Sequence, residues 1–395
     1  MPWKMTAPVD LRTEFINASL ARNHPPIADL AELYGISEKT AYKWLARFRQ
    51  GGLPALEDRS RRPHHSPEAT SEKARRALLK LREDHPRWGP KKLVELMRTV
   101  YPLLKPPSPS TAGLILKAAG LVQPRRRMRG TIKADKLPFA PIESPNETWA
   151  IDHKGEFAVE KRSCYPLTLS DGFSRYLFAC QACKSTAFEF AKPVLERVFL
   201  EFGLPLRIRS DNGPPFGSLG IGGLSQMTVY LAHLGIEQEF ITPGEPQENG
   251  RHERIHRTLK AEAILPAGSS WHAQQRKFDE FRCTYNQVRP HEALQMRTPA
   301  SVYTPSPRQL PARLPEFAYH SGFAIRNVRP NGEIKWRGKT IFLSETLIGE
   351  QVGLLEAEAD GWWSVHLGNW DLGLLAEDGT LMKRRRALWR PEIVD

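Results

Sequence analysis

The sequence predicts a multidomain chain: N-terminal all-α helix-turn-helix domains, a central α/β domain around a mixed sheet, and a small β-barrel at the C-terminus. Three observations predict it. Up to about residue 121, apolar residues recur at helical spacing between serine caps and Gly or Pro stops. From Ser144 they gather into short runs that alternate with helical stretches. After Pro315 the runs are short and separated by Gly, Asn and Asp turns. At 395 residues the chain exceeds one ordinary core, and the breaks in pattern place boundaries at 1–63, 64–130, 131–305 and 306–395. No internal repeat is evident.

In the first domain, IADLAELYGISEKTAYKWLARFRQ contains two short amphipathic helices around a turn at Gly35. Ala31, Ile36, Ala41, Trp44 and Leu45 supply the buried contacts. Ser37 suits the N-cap of the second helix, because its hydroxyl can accept from an unpaired first-turn amide. Glu38, Lys39, Thr40 and Lys43 then face outward, where a recognition helix meets the major groove; an ordinary helical hairpin with a solvated face is the alternative. The second domain begins with SEKARRALLKLREDHP and continues through RWGPKKLVELMRTVYP, with Pro90 in a first turn. PSPSTAGLILKAAGLV follows, starting with a serine cap and ending near Gly120. It reads as a winged or plain helix-turn-helix whose recognition helix opens at Ser110 and Thr111. Arg125, Arg126 and Arg127, in PRRRMRG, then lie along phosphates or form a solvated linker.

TWAIDHKGEFAV and SCYPLTLSDGFSRYLFACQAC give three apolar runs, with Asp171 and Gly172 as a turn signal. A helix over 185–202 follows, opened by a capping box from Thr186 to Glu189, closed by Gly203, and containing Pro193. LRIRSD is a strand ending at Asn212-Gly213, and EQEFITP is another. PQENGRHERIHRTLKAEAIL is a helix with Pro246 in its first turn, and an amphipathic helix follows Trp271. FAIRNV, EIKWRGKTIFL, QVGLLEAE, GWWSVHLG and DLGLLAE are the five strands expected of the barrel.

A net charge of +13 points to a polyanionic partner, and bunching of basic residues at 124–136 and in KRRR from Lys383 favours one. The four cysteines show no secreted pairing pattern, and Cys180-x-x-Cys183 reads as structural thiols within a strand. The N-terminus lacks a signal-peptide core, and no apolar run reaches membrane-spanning length. The expectation is a reduced, cytoplasmic protein with no membrane partner.

Three carboxylates concentrate the chemistry. Asp152 and Asp211 sit at the polar ends of strand-like runs, and Glu253 sits inside a helical run, so the fold can converge them. Converging acids hold divalent metal, and paired Mg²⁺ ions about 3.5 to 4 Å apart clamp both oxygens of a phosphodiester displacement. Arg257 and Lys260 follow Glu253 by four and seven positions, on nearly its own helix face, where they meet phosphate or remain solvated.

WAIDHKGEF, RSDNGPPF, TPGEPQENGRHERIHRTLK and YNQVRPHEALQMRTPASVY together resemble the catalytic core of bacterial insertion-sequence transposases, in the DDE superfamily that includes retroviral integrases. The resemblance spans about 149–303, and the flanking domains extend it to most of the chain. It implies a ribonuclease H-like core with Asp152 on the first strand, Asp211 after the fourth and Glu253 on the helix after the fifth. It further implies that the three acids are catalytic and hold two Mg²⁺ ions, replaceable by Mn²⁺. Asp152 and Asp211 would share one ion, and Asp152 and Glu253 the other. The implied partner is double-stranded DNA, as element terminal inverted repeats and target, bound by a homo-oligomer of a bacterial, nucleoid-associated protein. The implied activity is nicking at element ends and transfer of the 3′-ends to target DNA. The chain departs from the family in two ways. Between Asp211 and Glu253 lie 41 residues, more than the compact family spacing, with the excess in GSLGIGGLSQ and with Glu245 and Glu248 as competitors for the third acid. His64 and His65 have no upstream cysteine, so the zinc site of retroviral integrases is absent.

Two rival readings remain. His252 to His256 matches HExxH, the zinc motif of metalloproteases, although it leaves Asp152 and Asp211 unexplained. The chain could also be a DNA-binding regulator without catalytic activity.

Overall fold

The computed structural model describes residues 8–58, 69–122, 139, 141–218, 220–243 and 245–390. Arg125, Arg126, Arg127, His64 and His65 lie outside the described residues. By contacts the chain divides into two compact units, 1–69 and 70–395.

The first unit comprises α1 (Pro8–Leu20), α2 (Ile27–Leu33), α3 (Glu38–Gly51) and a 3₁₀ turn at Leu53–Leu56. Ser37 caps α3 by accepting from the Thr40 amide at 3.3 Å, and Gly35 turns between α2 and α3 at φ 63°. Ala31, Ala41, Trp44 and Leu45 are buried with Phe15, Ile16, Leu30 and Leu56, while Ile36 packs at the margin. The Arg12 guanidinium lies 4.0 Å over the Trp44 ring.

The second unit opens with α4 (Glu72–Asp84), α5 (Pro90–Val100) and α6 (Pro109–Ala118). Ser71 and Ser108 cap α4 and α6, and Pro90 occupies the first turn of α5. Their apolar stripes meet around Leu78, Trp88, Leu93, Met97 and Leu116. The described residues 69–122 hold no strand, so no wing accompanies this helix-turn-helix there.

Next come β1 (Thr148–His153), β2 (Phe157–Val159), β3 (Arg162–Asp171), β4 (Leu177–Cys183), α7 (Phe188–Phe202), β5 (Arg207–Ser210), α8 (Gln226–His233), β6 (Glu237–Phe240), α9 (Gly250–Leu259) and α10 (Trp271–Gln287). The six strands form one mixed sheet in the order β2-β3-β1-β5-β6, with β4 also on β3. β1 runs antiparallel to β3 and parallel to β5, and β5 runs parallel to β6. One core packs α7 and α8 on Trp149, Ile151, Leu169 and Ile208. A second packs Ile255, Leu259, Phe278 and Phe281, from α9 and α10, on Leu177 and Cys180.

Several expectations are corrected here. TWAIDHKGEFAV splits at Lys154-Gly155 into two strands, so Asp211 follows the fifth strand and Glu253 the sixth. Gly155, at φ 80°, permits that break. The capping box at Thr186 does not form. The helix starts one residue later than the box requires, with Ala187 as its N-cap and no side-chain bond, and the Ser185 hydroxyl accepts the Ala187 amide at 3.1 Å. Pro246 opens a separate 3₁₀ turn, Pro246–Asn249, before α9 rather than the helix itself. Beyond Leu259 the helix widens into a π turn, Lys260–Ile264.

The C-terminal part contains β7 (Ala324–Asn327), β8 (Glu333–Trp336), β9 (Lys339–Phe342), β10 (Gln351–Glu356), β11 (Trp362–Leu367), β12 (Trp370–Ala376) and β13 (Leu381–Trp389). The expected barrel is not observed. The sheet β13-β12-β11-β10-β7 is open and β8-β9 is a separate hairpin, because strand number alone does not impose the shear that closes a barrel. The run EIKWRGKTIFL is that hairpin, turning at Arg337-Gly338. KRRR, read as a cluster for a partner, lies within edge strand β13. There Arg384 pairs with Asp371 at 2.8 Å and Lys383 donates to the Leu343 carbonyl at 3.3 Å. Among the described residues, no helix is long and apolar enough to cross a membrane.

Candidate active site

The parallel pairing of β1 with β5 brings the first two acids together. Their last paired row is Ala150 with Arg209, and each acid comes two residues later on its own chain. Neighbouring strands are about 4.8 Å apart, so Asp152 and Asp211 emerge side by side at one end of the sheet. α9 supplies the third acid: its apolar positions Ile255 and Leu259 are buried, and Glu253 is left exposed on another face. A cleft of about 610 Å³ is lined by Asp152, His153 and Lys154 on one side and by Glu253, Arg257 and Lys260 on the other. Arg254 and His256 also line it, whereas Asp211 does not.

Electrostatics tie the three acids to one another. Burial pushes the Asp152 carboxyl up to about 7, aided by the Asp211 charge and, less, by Glu253. Burial also raises Asp211, opposed by the Gly213 amide, which donates to its Oδ1 at 3.0 Å. Glu248 is engaged elsewhere, accepting the Thr242 amide at 2.6 Å, and does not line the cleft.

The histidines of the HExxH motif face inward. His252 Nε2 and Nδ1 bond the hydroxyls of Thr168 and Ser170 at 2.7 and 2.8 Å. His256 Nε2 meets the same Thr168 hydroxyl at 2.7 Å, and that hydroxyl donates to the Asp152 carbonyl at 3.1 Å. Both imidazoles stay neutral, lowered by burial to about 3 and about 2. His256 Nδ1 stands 3.6 Å from Asp152 Oδ2, so this contact is no ion pair. With both ring nitrogens of His252 committed to β3, no zinc site of the protease kind remains.

The alternation of Thr168 and Ser170 along β3 was the one sequence signal for this network. Replacing the fully buried Thr168 by Val leaves two imidazole nitrogens without their partner. The expected loss is about 2 to 4 kcal/mol in urea unfolding, with Thr168→Ser close to wild type. A Val variant of undiminished stability would disprove the network.

Carboxylate oxygens suit a hard divalent cation, and such an ion would offset the burial and the neighbouring charge that raise Asp152. His153 adds two buried ring nitrogens without a hydrogen-bond partner, and burial lowers it to about 4. The donor chemistry therefore fits a metal. The side chains do not form a finished coordination sphere: among the described residues, no group of three His, Cys, Asp or Glu stands in metal-ligating arrangement.

Of the residues expected at DNA, Glu38, Lys39 and Lys43 are exposed on α3. Thr40 is half-buried with its hydroxyl 2.9 Å from that of Ser37. Ser110 and Thr111 are exposed in the first turn of α6, and Arg257 and Lys260 are exposed in the cleft. Sequence reasoning passed over Lys154 and Arg254, although each adjoins an acid or its neighbour in the chain.

Known proteins resemble the chain in several segments. Two profiles described as integrase core domain match residues 143–246 and 234–299. A helix-turn-helix domain profile matches 11–64 and a homeodomain-like one 40–116. An insertion element IS476 protein of 39.2 kDa from Xanthomonas euvesicatoria is 26% identical over 56% of this chain and 62% of its own length. Residues 143–299 thus match an integrase core, preceded by helix-turn-helix matches. The Pol polyprotein of feline endogenous virus ECE1 is 38% identical over 29% of this chain and 10% of its own. This integrase core thus spans less than two thirds of the length of either relative. The HTLV-2 integrase catalytic core in complex with magnesium is 18% identical, covering 41% of this chain and 98% of that one, at a TM-score of 0.33.

Proposed function

We propose that the protein is a DNA transposase that binds element terminal inverted repeats, nicks the ends and joins the 3′-ends to target DNA. The observation that carries this reading is the meeting of Asp152 and Glu253 across a basic-rimmed cleft, with the Asp211 charge felt at Asp152. Asp152, Asp211 and Glu253 are the proposed ligands for two Mg²⁺ ions, replaceable by Mn²⁺. When bound, these ions supply Lewis-acid stabilisation of charge on the phosphodiester oxygens.

The protein's own groups do the rest. Lys154, Arg254, Arg257 and Lys260 line the cleft and hold the phosphate backbone by charge. The Thr168 hydroxyl, donating to the Asp152 carbonyl, fixes the end of β1. In the helix-turn-helix segments, Glu38, Lys39, Thr40 and Lys43 of α3 and Ser110 and Thr111 of α6 read the repeat, and Arg125, Arg126 and Arg127 bind phosphates between domains. The functional division follows 1–63, 64–130, 131–305 and 306–395. Two ends must be joined, so the assembly on DNA is a homo-oligomer.

The test incubates the full chain with paired element-end duplexes and a target plasmid, in Mg²⁺ or in EDTA. Nicked and joined products in Mg²⁺ alone are expected. End binding without either product, in Mg²⁺ and in Mn²⁺, would make the chain a DNA-binding regulator instead.

A further inference from the structure

Among the extra residues between Asp211 and Glu253, 221–225 are buried. Ile221–Gly223 form a 3₁₀ turn, and Ile221 and the following Leu224 are 1% exposed. These side chains belong to the apolar core of the C-terminal sheet, with Val365, Leu372 and Leu375, and not to the core beneath β1 and β5. α8 leans the same way, giving Val229 and Ala232 to that core. At its end, His233 bonds Glu350 at 2.9 Å and the Pro315 carbonyl at 2.8 Å.

The glycines explain the composition of the insertion. Gly222 and Gly223 adopt φ 63° and 71°, a region that side chains disfavour. A Cβ on Gly222 would stand 2.8 Å from the Ala387 Cβ of β13. Only a bare backbone lets β13 approach so closely.

The approach carries a side chain to the residue after Asp211. Arg386 of β13 stacks 4.3 Å over the Phe240 ring and donates from Nη2 to Asn212 Oδ1. Asn212 Nδ2 donates to the Ile241 carbonyl at 2.7 Å, so both ends of its amide are held. Asn212 is the residue directly after Asp211.

We infer that the glycine-rich insertion is a cradle that docks β13 on the core of the same chain, and that Arg386 thereby pins the turn bearing Asp211. The C-terminal sheet is then part of the catalytic centre, with Arg386 a positioning residue. The catalytic consequence rests on the transposase reading, whereas the docking does not.

Hydrogen–deuterium exchange on the full chain tests the docking without DNA or metal. Arg386→Ala should speed exchange over 211–217 by about tenfold while 221–224 and 381–389 remain protected. Arg386→Lys, which keeps a charged donor, should recover part of the difference. Gly222→Val should loosen all three segments together. Unchanged exchange over 211–217 in Arg386→Ala, or continued protection of 381–389 in Gly222→Val, overturns the inference.

In the nicking assay, Arg386→Ala should lower kcat about tenfold and change the KM for end DNA by less than about twofold. A raised KM at constant kcat would make Arg386 a phosphate contact and overturn the positioning role. If the wild-type chain nicks nothing in Mg²⁺, the transposase reading fails, and exchange still decides the docking and the pinning of the turn.

Discussion

On the proposed transposase reading, Asp152→Asn is expected to retain binding to element-end DNA and to lose metal-dependent nicking and joining by roughly 10²- to 10³-fold or more. The substitution keeps the shape of the side chain and removes the charge that draws a cation between Asp211 and Glu253. The cleft cations and the helix-turn-helix residues proposed to hold the DNA are left in place, so end affinity should change little. Gel-shift titration and product analysis on one preparation separate the two effects, and nicking at the wild-type rate would remove Asp152 from the chemistry.

The same variant has a signature in stability. Without divalent ions, the folded chain raises Asp152 from 3.8 to about 7. A carboxyl raised on folding binds its proton more tightly in the native state, so stability falls as pH rises from about 4 to about 7. Asn mimics the protonated carboxyl and escapes that penalty. In EDTA, Asp152→Asn should therefore match the wild type near pH 4 and exceed it by roughly 1 to 3 kcal/mol at pH 8. Equal stability at both pH values would show that neither burial nor neighbouring charge raises the carboxyl.

Trp149→Ala is expected to cost about 3 to 5 kcal/mol, the range for truncating a buried aromatic. Trp149 is 0% exposed at the start of β1, with its ring 4.0 Å from Phe178 and 6.0 Å from Phe199. Its indole Nε1 donates to Asn146 Oδ1 at 3.2 Å, and Tyr303 donates to the same oxygen at 3.0 Å. Truncation opens a cavity between β1 and α7 and leaves Asn146 with one donor fewer. A urea midpoint shifted by less than the equivalent of about 1 kcal/mol would mean that the core beneath the acids repacks freely.

The local order of elements was legible because each carries its own signal. Ser37 caps α3, and Pro90 lies in the first turn of α5. Ala41, Trp44 and Leu45 recur at the spacing that buries one face of α3. Asp171 proved a turn residue for the same reason: its Oδ2 accepts the amide and hydroxyl of Ser174, both at 2.6 Å, three residues on. The capping box at Thr186 failed because α7 takes Ala187, not Thr186, as its N-cap.

The sequence by itself determined which segments are helical or extended, which faces are apolar, and that Asp152, Asp211 and Glu253 stand at element ends or exposed faces. These properties depend on residues within a few positions of one another. Tertiary structure alone decided that the C-terminal sheet stays open, that His252 and His256 turn inward to Thr168, and that β13 settles on the glycine-rich insertion. Arg386 and Asn212 are 174 positions apart, and the hydroxyl joining His252 to β3 is 84 positions away. Hydrophobic period records which side of an element is buried. The partner across that buried surface is chosen only when the whole chain packs.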